Sequence, residues 1–212
     1  MSHDVVFYGY DSLRLRATVA AAQLREFLQD LCLAGDATVN GTLEPDLHRS
    51  GFLPERIVLV AHSLGAVVCR RAMLDARSDG QDWAHKVSLG FFAPAHMGAH
   101  VLGLVGGVLG LSKLPLAPIA KWRFPILSEL EEGSGFLKDL RGETEKAVEK
   151  GGADFLRARA LAICEYDDVV NCQPFSSYDA SPTVLSRDHL QICKPDADYL
   201  APLRVVAKLI QG

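Results

Sequence analysis

The sequence predicts an α/β fold in which a mostly parallel sheet is flanked by helices. An apolar strand-like run at 57–61 turns sharply through His62-Ser63 into a helix-like run at 64–75. Two further strand-like runs, 159–164 and 183–185, are each followed closely by a side chain able to do acid–base chemistry. Sites in open α/β sheets form at the carboxyl ends of strands. The 212 residues, 49% of them hydrophobic, suit one α/β domain with a substantial core.

Taken in order, residues 5–8 (Val-Val-Phe-Tyr) read as a short buried strand. Residues 13–33 have helical periodicity, with Leu24, Phe27, Leu28 and Leu31 on one stripe. The polar, punctuated stretch 34–51 reads as a loop. The strand at 57–61 and the helix at 64–75 follow, then a turn region at 77–83 and a strand at 86–92. Residues 98–120 are apolar and glycine-rich, with Lys113 the one charge before Lys121. The continuous apolar run is about half the ~20 residues a membrane span needs, and Pro115 and Pro118 cut it. It fits a buried helix, a mobile apolar lid over Ser63, or an interfacial patch reaching lipid. Residues 124–132 and 135–150 read as helices, 159–164 and 183–185 as strands. A C-terminal helix is expected at 196–210, burying Leu200, Leu203, Val206 and Ile210. No repeat, low-complexity tract or linker divides the chain, so residues 1–212 are expected to form one domain.

The turn Ala61-His62-Ser63-Leu64-Gly65 has the nucleophile-elbow pattern, with Ala61 where the pattern has its first glycine. Small residues two before and two after the serine let strand and helix approach. A serine between strand and helix is also a frequent helix N-cap, so the turn alone leaves two readings. A nucleophilic serine needs a base, and the base needs an orienting acid. Asp167 and Asp168 follow the run at 159–164, and His189 follows the run at 183–185. Asp167 is preferred, because an Asp-x-Val-Val spacing sets it before the buried pair Val169-Val170. Singly, Asp167 reads as a turn residue and His189 as a loop histidine. Their occurrence in the order Ser, Asp, His makes Ser63, Asp167 and His189 the candidate catalytic set. Leu64 supplies a candidate oxyanion donor through its backbone N–H, and Tyr10 is the candidate for the second. His62 and His96 are candidate pocket residues. His96 and His100 have the spacing of paired metal ligands, but no Glu lies between them and no third ligand is evident. No metal or other cofactor is expected.

Four segments carry a resemblance. They are Tyr8-Gly9-Tyr10-Asp11-Ser12, the 61–66 turn with Val67-Val68 after it, Phe92-Ala93-Pro94-Ala95-His96-Met97-Gly98, and Asp188-His189-Leu190-Gln191-Ile192-Cys193-Lys194-Pro195. Together they resemble the serine-active-site-containing esterase group of the α/β-hydrolase superfamily, near the glycosylphosphatidylinositol inositol-deacylase type lipases. The resemblance implies a serine enzyme that cleaves lipid or lipid-like esters through an acyl-enzyme. It carries Ser63, Asp167 and His189 over as nucleophile, acid and base. It also sets residues 98–150 where this superfamily carries a cap or lid. One departure concerns the earlier strand ending in a His-Gly loop, which supplies the second oxyanion donor in that family. No such loop precedes residue 9. An α/β-hydrolase sheet lacking its N-terminal oxyanion strand is therefore expected. Either the N-terminus is incomplete, or residues 5–8 fill the vacant slot and Gly9-Tyr10 serves as the oxyanion loop. The alternative function is a non-catalytic or N-terminally truncated α/β-hydrolase module that binds or scaffolds.

The net charge of −4 gives no basic footprint for nucleic acid and no polybasic membrane signal. The expected partner is a small-molecule or lipid ester, with peripheral membrane contact through the apolar segment. Five cysteines without a Cys-x-x-Cys pair read as small core residues in a reducing compartment. Met1-Ser2-His3-Asp4 has no basic leader region, which points to a cytoplasmic protein.

Overall fold

The computed structural model describes residues 4–12, 14–33, 54–99 and 125–211. The 34–51 loop and residues 100–120, with the three readings of that apolar segment, lie outside the described residues. Four parallel strands form one sheet, β1 (Ile57–His62), β2 (Val87–Phe92), β3 (Ala158–Cys164) and β4 (Thr183–Leu185), in that spatial order. The helices among the described residues are α1 (Ala17–Leu33), α2 (Leu64–Ser78), α3 (Pro125–Glu129), α4 (Gly135–Glu149) and α5 (Ala201–Gln211). None is long and apolar enough to cross a membrane.

Every residue of β2 is buried, as a parallel strand covered on both faces must be. Strand alternation sorts its side chains. Phe91 faces α2, where the Arg70 guanidinium carbon lies 5.3 Å from its ring centre. Gly90 faces α5, and a Cβ there would stand 2.5 Å from Leu209 Cδ2. Glycine at 90 thus lets α5 lie close on the sheet. On the other face α1 packs against α2 through Leu24, Leu28 and Leu31, all buried. Phe27 is half-buried, its ring 5.1 Å from that of Tyr8. Leu89 pairs with Ala158 and Gly90 with Ala160, so Arg159 is an extra residue at a bulge in β3.

Two expectations are corrected. Residues 5–8 form no strand, and Val5 and Phe7 are 75% and 95% exposed. An apolar tetrapeptide becomes a strand only where a neighbour pairs with its backbone, and this one instead turns Tyr8 and Tyr10 inward against the core. Among the described residues no strand flanks the outer edge of β1, where Val60 is 45% exposed. The C-terminal helix buries Pro202, Val205 and Leu209 rather than the expected stripe, and Leu200 and Leu203 are exposed. The helix is turned by about one residue from that expectation, because Leu209 seats over Gly90.

Candidate active site

The site is assembled at the carboxyl ends of β1, β3 and β4. Ser63 stands between β1 and α2 with φ 52° and ψ −122°. A non-glycine residue with positive φ in this region stores about 1–3 kcal/mol of strain, held by its surroundings. Here the surroundings are backbone hydrogen bonds from both sides. Ser63 N–H donates to Phe92 O at 3.0 Å, and Ser63 O accepts from Ala66 N–H and Ala95 N–H at 3.1 and 3.2 Å. A Cβ on Gly65 would lie 3.5 Å from that of Ala61, so the turn has room at both positions. That is ordinary contact, which explains why alanine is accommodated at position 61. Ser63 occupies the N-cap position of α2, yet its side chain caps no backbone N–H. The helix-cap reading of this serine is thereby set aside.

Ser63 Oγ is instead 2.9 Å from His189 Nε2, and His189 Nδ1 is 2.9 Å from Asp167 Oδ2. A carboxylate only accepts, so Nδ1 carries the proton and Nε2 is free to accept from the serine hydroxyl. Asp167 Oδ1 accepts from the N–H groups of Val169 and Val170 at 2.8 and 3.0 Å. Burial pushes the Asp167 carboxyl upward, but the His189 bond and these two backbone donors outweigh it and hold its pKa well below the ordinary carboxylate range. This is the physical content of the Asp-x-Val-Val spacing. Asp168 points to solvent. His189 is 4% exposed and rides on a turn in which Asp188 Oδ1 accepts from Leu190 and Gln191 N–H.

His62 donates from Nε2 to the carbonyl of His189 at 2.7 Å, and the two rings lie 4.7 Å apart. Burial, then the neighbouring His189, lowers the pKa of His62 to about 4. A groove of about 610 Å³ runs beside the outer edge of β1, lined by Tyr8, Tyr10, Val60, His62, Ser63 and Leu64 among others. Tyr10 and Leu64, the two oxyanion candidates, line one groove with Ser63.

His96 does not belong to that groove. It is 2% exposed behind the Ser63 turn, with Nε2 3.1 Å from Ala66 O and 3.3 Å from Arg70 Nε. That nitrogen serves one of the two, and burial together with the Arg70 cation holds the ring neutral. Between β2 and His96 the backbone passes through Ala93 at a φ of 41°. Two features of the site were not anticipated. Arg70 is wholly buried and bonds Asp179 Oδ2 at 2.8 Å and Leu156 O at 2.7 Å. An arginine directly after the apolar run Val67-Val68-Cys69 is the sequence signal for it. Cys172 Sγ lies 3.8 Å from Asp167 Oδ2, and burial followed by that carboxylate raises its pKa to about 11. Among the described residues no group of three potential metal ligands occurs.

The sheet, its crossovers and the strand-to-helix turn at Ser63 define an α/β-hydrolase-type fold. The chain is similar to the crystal structure of Bacillus licheniformis lipase BlEst2 in mature form, with a TM-score of 0.51 and 15% identity. The alignment covers 91% of this chain and 74% of the lipase. No protein-family model and no curated protein matches the sequence.

Proposed function

We propose that the protein is a serine hydrolase of carboxylic esters, acting on lipid or lipid-like substrates in the manner of the serine-active-site-containing esterases and inositol-deacylase type lipases. The observation that carries this reading is the continuous hydrogen-bond series from Ser63 Oγ through the His189 imidazole to Asp167. His189 Nε2 takes the hydroxyl proton as Ser63 Oγ attacks the ester carbonyl, and Asp167 balances the imidazolium that forms. Collapse of the tetrahedral adduct expels the alcohol, which takes its proton from His189, and leaves an acyl-serine. Water, deprotonated by the same nitrogen, then releases the acid.

Leu64 N–H, at the start of α2 where helical donors lack intrahelical acceptors, is the proposed oxyanion donor, aided by the positive end of the helix. Tyr10, which lines the same groove, is the proposed second contributor. One oxyanion donor is worth about 2.7–4 kcal/mol of barrier. The apolar walls around Val60 and Tyr8 suit an acyl chain.

The test is labelling by a fluorophosphonate probe. The wild-type chain should label and Ser63→Ala should not. Labelling that survives Ser63→Ala removes serine 63 as the nucleophile. Labelling of neither protein supports the alternative, a non-catalytic α/β-hydrolase module.

A further inference from the structure

A second groove, of about 800 Å³, lies between β3, the 178–181 loop and α5. It exists because β4 is three residues long and pairs only with the carboxyl half of β3, from Ala162 onward. The amino half of β3 and the flank of α5 are left facing open space. None of its lining residues is shared with the groove beside Ser63.

Its floor is apolar, formed by Ala160, Leu161, Leu185, Val205 and Leu209. Its rim is cationic. Arg204 and Lys208 stand one turn apart on α5, and both are exposed. Arg159 is exposed at the β3 bulge across the groove. None of these three has a carboxylate partner among the described residues. The other charges at the groove are already matched. Arg157 lies 3.2 Å from Asp154, and Asp179 is held by Arg70. Three unmatched cations around an apolar floor, on a chain whose net charge is −4, are a local inversion of the protein's field.

Guanidinium groups present donors in a fork that fits phosphate and carboxylate oxygens. A carboxylate supplies one negative charge, whereas a phosphate monoester supplies about 1.5–2 at neutral pH. The volume falls within the range of small-molecule sites. We propose that this groove binds a single-chain amphiphile with a phosphate monoester head, the head held by Arg159, Arg204 and Lys208 and the chain lying on the floor. The site is independent of the chemistry at Ser63.

The test is calorimetric titration of the full chain with decyl phosphate below its micelle concentration. One site is expected, weakening with added salt. The Arg204→Glu/Lys208→Glu variant should bind at least about tenfold more weakly. Ser181→Trp, an exposed wall substitution that narrows the groove, should weaken binding similarly. Val60→Trp, in the other groove, should leave it within about twofold, and melting curves should show all variants folded. Decanol and inorganic phosphate should each bind at least about tenfold more weakly than decyl phosphate. Decanol binding as well as decyl phosphate would refute the role of the cations. Inorganic phosphate binding as well would reduce the site to a plain anion site and refute the amphiphile. Loss of binding in Val60→Trp but not in the charge-reversed variant would place the ligand beside Ser63 and overturn the proposal.

Discussion

Arg70→Met probes what stands behind the Ser63 turn. The Arg70 and Asp179 side chains are 1% and 5% exposed and meet at 2.8 Å. The guanidinium also donates to Leu156 O and lies 4.5 Å from the centre of the Phe175 ring. Methionine fills most of the aliphatic volume but removes the charge. Asp179 would keep the Ala158 N–H, 2.8 Å from Oδ1, yet its carboxylate would be buried without a cation. Removing one partner of a buried pair costs about 3–5 kcal/mol, largely through the charge left behind. At about 2–4 °C per kcal/mol for a chain of this size, Tm should fall by roughly 6–20 °C. Asp179→Asn added to Arg70→Met neutralises the stranded carboxylate and retains an acceptor for Ala158. The double variant should therefore recover about half of the loss. Thermal and urea melts of the four proteins form the cycle, and the coupling energy should be at least about 2 kcal/mol, larger by whatever Asp179→Asn costs alone. If Arg70→Met cost less than about 1 kcal/mol, or if Asp179→Asn deepened its loss, the ion pair would not be what anchors α2 to β3.

The strain at Ser63 predicts that Ser63→Gly melts higher than Ser63→Ala, by about 1–3 kcal/mol in unfolding free energy, since glycine tolerates φ 52°. Equal melts would mean that the turn is unstrained. His62 makes a pH prediction. Its folded pKa of about 4 lies below the unfolded value near 6.5, so the unfolded chain binds the proton more readily and stability falls as pH drops through that window. The contribution reaches about 3 kcal/mol. His62→Gln keeps a donor for His189 O but does not titrate, so its unfolding free energy should fall less between pH 7 and 4.5 than that of the wild type. Identical pH dependence in urea melts would contradict the burial argument.

Local chemistry in the sequence determines much of this protein. The runs that became β1 to β4, the helices at 17–33, 64–78 and 135–149, and the order serine, aspartate, histidine all follow from local chemistry. Apolar periodicity and turn residues act over a few positions, and a strand-to-helix turn needs only small neighbours around its serine. The orientation of Asp167 is also local, since the two N–H groups that hold it belong to Val169 and Val170. What required the tertiary structure is whatever depends on a partner distant in the chain. Residues 5–8 are apolar enough for a strand, but pairing with a neighbour decides that. The buried face of α5 was set by Gly90, more than a hundred residues away, which accepts Leu209. His96 lies beside Arg70 rather than in the groove, a contact between segments 26 residues apart. Composition reports how much surface a chain will bury, whereas contacts between remote segments choose which side chains share one space.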